Sequence, residues 1–299
     1  MKIGYPCINN SIGCTANRTF RLKSYSEELL IEKISINLAC LEKTLKYNLD
    51  KGFLFFRIGS GLVPFASHQI CDFNWQKYFE KDFLKIGEFI KKNQIRISMH
   101  PDQFVVINSN NKEIVKRSVE ELKYHCDVLD LMELDLTAKV QIHVGGVYGE
   151  KEKSIQRFIE NYRSLSQKIK KRLVVENDDK SYLAKDCLEI SREVGIPIIF
   201  DTLHHECLNN GENLLEIFKK IIKTWKKKDG LPMVDYSNRA LGDKKCRHVQ
   251  TLDARLFKKF IRKTSGLDFD IMLEIKDKEI SAERGLSVLK NFSKKEMKK

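Results

Sequence analysis

Five short apolar runs in this chain stop at a side chain that can bind a metal: Ile97-Ser98-Met99 at His100, Val140-Gln141-Ile142 at His143, Leu173-Val174-Val175 at Glu176, Ile198-Ile199-Phe200 at Asp201, and Met272-Leu273 at Glu274. Such runs, separated by helical patterns, read as buried parallel strands. In a closed barrel of parallel strands the carboxyl ends converge on one face, so histidines and carboxylates remote in sequence meet there. The pattern predicts a TIM barrel with a multi-metal pocket at its mouth.

The rest of the chain fits that frame. After a first strand at Lys2 to Tyr5, the stretch Glu27 to Asp50 carries Leu29, Leu30, Ile34, Leu38, Leu41 and Leu45 at helical spacing. Strands are expected at Phe53 to Arg57, Ile95 to Met99, Val140 to His143, 173 to 176, 197 to 201, 232 to 235 and 270 to 274. Between and after them helices are expected at Trp75 to Lys92, Asn111 to Leu131, 151 to 169, 181 to 194, 212 to 226, 252 to 264 and 279 to 292. Gly195 before Ile196-Pro197 is a helix-to-strand junction. Eight βα units without a long interruption favour the α/β class and a single (β/α)8 TIM barrel over a doubly wound sheet. A barrel of about 250 residues would use nearly all 299. The expected barrel domain is 1–293, with a basic tail at 294–299.

Hydrophobic residues at 42% and charged residues at 32% supply a large core and leave disorder only at the ends. A net charge of +13 with pI near 9.2 points to a polyanionic partner. Much of the excess lies on outer helices and the tail, so lysine-rich composition alone is the competing explanation. The eight cysteines form no CxxC pair and read as reduced thiols. With no signal-peptide core and no run long enough to span a bilayer, a cytoplasmic location is expected, without a membrane partner.

Singly, each strand-end ligand has a mundane reading, such as a helix cap or a backbone-bonded histidine. Together, His100, His143, Glu176, Asp201, His204 and Glu274 lie at or just past the ends of five different strands. His68, in the loop after the second strand, Asp235, ending the seventh, and His248, in the loop after it, suit the same face. His125 lies mid-helix and reads as structural; His205 reads as a second layer or exposed. Mixed imidazole and carboxylate ligands suit Mn²⁺, Zn²⁺ or Fe²⁺ better than Mg²⁺ or Ca²⁺. The set exceeds one ion's needs and could serve two or three. Clustered ions suit phosphodiester hydrolysis, since they activate water, clamp phosphate oxygens and stabilise the leaving alkoxide.

The ordered blocks Gly4-Tyr5-Pro6-Cys7, Asn17-Arg18-Thr19, Phe56-Arg57-Ile58-Gly59, Pro64-Phe65-Ala66-Ser67-His68, Ser98-Met99-His100-Pro101, His143-Val144-Gly145-Gly146, Glu176-Asn177-Asp178-Asp179 and Asp201-Thr202-Leu203-His204-His205 resemble the ATP-independent UV-damage endonucleases, relatives of the endonuclease IV barrels. The resemblance covers nearly the whole chain. It implies incision of DNA immediately 5′ of UV photoproducts and of some other lesions including abasic sites, leaving a 3′-hydroxyl, with Mn²⁺ in a three-metal cluster. Carried over by position, the implied ligands are His68, His100, His143, Glu176, Asp201, His204, His248 and Glu274. Asp235 takes a ligand position that is histidine in some relatives. Two residues before it the family pattern has a lysine open to carboxylation, whereas this chain has Met233, whose thioether cannot form a carbamate. Tyr5, Gln103 and Phe104 match residues that probe bases around the lesion, with phenylalanine where many relatives have tyrosine.

The expected catalytic set is Glu176, Glu274 and His143, the two glutamates bridging closely spaced cations. Arg18, Arg57 and Lys276 are candidate phosphate contacts, with internal salt bridges the alternative. The expected partner is damaged double-stranded DNA, bound by a monomer with no obligate protein partner. Three rivals differ in class or substrate: an abasic-site endonuclease, a metal-dependent sugar isomerase on a similar barrel, and a silent damage-binding protein.

Overall fold

In the computed structural model, which describes residues 1–240 and 246–296 with the side chains of 293–296 excepted, eight parallel strands hydrogen-bond in sequence order and the eighth returns to the first. The chain runs β1 (Ile3–Pro6), α1 (Glu27–Lys51), β2 (Phe55–Ile58), α2 (Trp75–Tyr78), α3 (Glu80–Lys92), β3 (Arg96–Met99), α4 (Lys112–Leu131) and β4 (Lys139–His143). It continues through α5 (Lys151–Ser164), α6 (Gln167–Arg172), β5 (Leu173–Glu176), α7 (Ala184–Val194), β6 (Ile198–Asp201), α8 (Thr202–Cys207) and α9 (Leu214–Ile222). β7 (Met233–Tyr236), α10 (Ala254–Lys263), β8 (Asp270–Leu273) and α11 (Glu279–Glu296) close the circuit. The (β/α)8 barrel expected from alternation is thus the observed fold.

The differences are local. The helix expected over 75–92 breaks at Phe79, whose φ of −98° and ψ of 11° leave the helical range. That expected over 151–169 breaks before Ser166, whose side chain accepts from Ile169 N–H and starts α6 as a new cap. α8, between β6 and α9, was not expected. α11 runs on to Glu296, so the start of the expected tail is helical, and 297–299 lie outside the described residues. No described helix is long and apolar enough to cross a membrane.

Side chains at alternate strand positions share a face, and this splits the core in two. The outward set, including Tyr5, Phe56, Ile97, Ile142, Val175, Phe200 and Leu273, packs under the helices. The inward set is layered along the barrel. At the amino ends Arg96 Nη1 lies 2.8 Å from Asp270 Oδ2, and Lys139 Nζ lies 2.5 Å from Asp229 Oδ1. Above them Phe55, Val174, Ile199, Met233 and Met272, with Trp225, form a separate apolar plug. Polar side chains fill the carboxyl end above the plug. Met233 therefore supplies only packing.

Two expectations are corrected. Tyr5 does not reach the mouth: it is fully buried on the outer face, edge-on to Phe53 and Phe56, with its hydroxyl 2.5 Å from Asn48 Oδ1 of α1 and receiving Asn9 Nδ2 at 2.7 Å. Nor are all cysteines free thiols. Cys14 is bridged to Cys40 and Cys207 to Cys246, both with Cα atoms 6.0 Å apart, while Cys7, Cys71, Cys126 and Cys187 are free. The bridged partners are 26 and 39 residues apart in sequence and sit on different elements, so no local spacing marks them.

Candidate metal centre

Glu176 ends β5 opposite His143 at the end of β4, and its buried carboxylate divides its two oxygens between neighbours. Oε2 faces His100 Nε2 at 3.4 Å and His143 Nε2 at 3.6 Å, while Oε1 faces His204 Nδ1 at 3.1 Å. Burial pushes the carboxyl upward, but His143, His100 and His204 outweigh it and hold it well below the usual range. His100 Nδ1 lies 2.8 Å from the Pro101 carbonyl, which can only accept. The ring proton therefore sits on Nδ1, and the bare Nε2 is aimed at Glu176.

Asp201 does two jobs. Its Oδ1 accepts from His204 N–H at 2.7 Å, capping α8 and setting His204 one turn on, while its buried Oδ2 has no hydrogen-bond partner. Asn177 clamps the ends of β5 and β6 together, donating to Asp201 O and accepting from Asp201 N, both at 3.0 Å. Burial raises the Asp201 carboxyl to about 7. Burial also opposes a charge on His204, yet Asp201, Glu176 and Glu274 outweigh it and raise the imidazole to about 11. The pocket draws positive charge to this point.

Ligand atoms within 4.8 Å of one another form three overlapping trios: His100, His143 and Glu176; Glu176, Asp201 and His204; Asp201, Asp235 and Glu274. The first two fit divalent ions on their own chemistry. The bare His100 Nε2 set against a carboxylate, and the buried Asp201 Oδ2 lacking a donor, are both resolved by a cation beside them. His248 stands beside the centre, its Nε2 3.7 Å from Glu274 Oε2. His68 is brought to none of the trios; it is exposed, and its Nδ1 accepts from Ile70 N–H at 3.1 Å.

Arg57 is not a surface phosphate contact. Its guanidinium is 3% exposed and lies inside the barrel, Nη2 at 2.8 Å from both oxygens of Asp235 and Nη1 bonded to Glu274. Burial disfavours its charge, but Asp235 and Glu274 more than compensate and raise its pKa. Burial likewise pushes Glu274 up, and Arg57 together with His248 and His100 outweighs this to bring it down to about 2.

Above the ligands opens a cleft of about 650 Å³ whose lining includes Arg57, His100, His143, His248 and Glu274 together with Gln103, Phe104, Lys276 and Lys278. Phe104 is 77% exposed, an unusual state for a free phenyl ring. Lys276 is exposed at the rim. Arg18 is also exposed; Asn37 holds its backbone against the loop after β2, bonding Arg18 N and O and the carbonyls of Gly61 and Leu62. His125 is buried on α4 and bonds Glu121 O at 2.8 Å. His205 is buried against Phe200 rather than exposed.

Reading strand ends missed Gln141, Asn177 and Lys278. Gln141 had a signal, because it lies two residues before His143 and so shares its inward face.

The model of the family described as UV-endonuclease UvdE matches residues 1–297. This chain belongs to that family. A UV DNA damage endonuclease of Clostridium perfringens is 39% identical over 296 residues, 98% of this chain and 72% of that protein. A solved structure described as SacUVDE is 48% identical, with a TM-score of 0.94 over 98% of this chain and 99% of the other. Endonuclease IV of Thermus thermophilus shares the fold at 15% identity, with a TM-score of 0.59 over 85% of this chain and 94% of its own. The barrel inferred from strand alternation and the family inferred from the ordered blocks agree with these matches.

Proposed function

We propose that this UvdE-family chain is a DNA-repair endonuclease that hydrolyses the phosphodiester immediately 5′ of UV photoproducts, and of abasic sites, leaving a 3′-hydroxyl. The observation that carries the reading is Glu176, a buried carboxylate with one oxygen in each of two adjacent ligand trios under an open cleft. Divalent ions there, Mn²⁺ by ligand type and Zn²⁺ as the alternative, would supply activation of water and charge stabilisation of the phosphoryl group and leaving oxygen. His100, His143, Glu176, Asp201 and His204 would hold them, with Glu274 and His248 alongside.

The protein's own groups do the rest. Lys276 and Lys278 at the rim meet backbone phosphates, and Arg18 is exposed on the carboxyl-end loops for the same use. Phe104 and Gln103 project into the cleft, where a ring can replace the stacking that a weakened base pair gives up. A basic chain acting as a monomer in the cytoplasm on duplex DNA is the simplest setting for this geometry.

The test is nicking of supercoiled plasmid with Mn²⁺, comparing UV-irradiated, depurinated and untreated DNA, with an EDTA control. Metal-dependent nicking of irradiated plasmid is expected, and Glu176→Gln should abolish it while damaged-DNA binding persists. Nicking of depurinated plasmid alone would make the chain an abasic-site enzyme; nicking of neither would overturn the reading.

A further inference from the structure

The third trio differs in kind from the other two. Its members Asp201, Asp235 and Glu274 are all carboxylates, and a protein cation already sits among them. Asp235 Oδ1 accepts Arg57 Nη2 at 2.8 Å; Oδ2 accepts the same nitrogen at 2.8 Å and Gln141 Nε2 at 2.6 Å. Gln141 is in turn oriented by Arg57, whose Nη2 donates to its Oε1 at 2.7 Å. Both oxygens of Asp235 are thus committed to donors.

We propose that Arg57 is the built-in cation of this third trio, so that the centre takes two divalent ions and Asp235 is a partner of Arg57 rather than a metal ligand. The inference rests on the metal-dependent reading above. An ion entering the third trio would have to displace a guanidinium that cannot lose its proton and is already paired with two of the three carboxylates: Arg57 borders the floor of the cleft, but it and Asp235 are only 3% and 0% exposed, with the apolar plug beneath them. Met233, in that plug, offers no replacement ligand.

Charge points the same way. With the four carboxylates ionised and the imidazoles neutral, the states in which such groups bind metal, Glu176, Asp201, Asp235 and Glu274 together with Arg57 sum to three negative charges. Two divalent ions turn this into a single positive charge, enough to attract one phosphate. Three would leave a strongly positive pocket with a buried arginine at its centre. Glu176, shared by the first two trios, would serve both ions.

The experiment is equilibrium dialysis of the full-length apoprotein against saturating Mn²⁺, with bound manganese counted by atomic absorption, on the parent and on Arg57→Met. Two ions per parent chain and three for Arg57→Met, with both proteins folded by circular dichroism, are the expected results. Three ions in the parent would overturn the inference even if plasmid nicking succeeds. Two ions in a folded Arg57→Met protein would overturn the role given to Arg57. If that variant does not fold, the parent count alone decides. A parent that binds no manganese and nicks no DNA would instead sink the metal-dependent reading itself.

Discussion

The side-chain amide of Gln141 donates to Glu176 Oε2 at 2.5 Å, which fixes the carboxylate that faces three histidines. The same nitrogen reaches Asp235 Oδ2 at 2.6 Å, so one residue of β4 ties the ligand trios to the Arg57 pair. Glu176 is oriented from below before any ligand arrives.

Gln141→Leu keeps the shape and removes both donated hydrogen bonds. Loss of a group that orients a ligand typically costs about 10–100-fold in metal affinity, and Mn²⁺ titration of the apoprotein should show a drop of that order. An affinity within twofold of the parent would mean that Glu176 needs no such support.

Phe104 touches the cleft but little of the protein, so Phe104→Ala should leave thermal stability unchanged. Its effect should fall on lesion recognition. Loss of one stacking platform costs about 1–3 kcal/mol, read by fluorescence anisotropy as weaker binding of a dimer-containing duplex relative to an undamaged one. Equal losses on both duplexes would assign the ring to general contact instead.

His125 sets a pH dependence of stability. Burial lowers its pKa from 6.5 to about 4, so in the fold it is neutral, with Nδ1–H donating to Glu121 O at 2.8 Å. Above pH 6.5 neither folded nor unfolded chain protonates it and no penalty arises. As pH falls from 6.5 toward 4 the unfolded chain takes up the proton first, and stability declines by about 3 kcal/mol. Urea unfolding of the parent and of His125→Met should show the difference between them changing by about that amount from pH 7 to pH 4. A difference that does not vary with pH would refute the assignment.

How much of this was legible in the sequence depends on the reach of each signal. The barrel and the ring of His100, His143, Glu176, Asp201, His204 and Glu274 were readable, because a strand's length, its helical neighbour and the residue that ends it are all local. Tyr5 was misplaced because β1 is buried on both faces and reads as a plain apolar run, with no polar partner to reveal which residues point inward. Arg57 was left open between phosphate contact and an internal salt bridge, because only barrel closure brings Asp235 and Glu274, 178 and 217 residues away, to its guanidinium. The cysteine bridges likewise join different elements. The sequence by itself determined the fold and which chemical groups stand at the mouth, since these follow from periodicity and strand ends. Which groups neutralise one another was decided only by the tertiary structure, because ion pairing and hydrogen bonding act over a few ångströms and closing the barrel is what sets those distances.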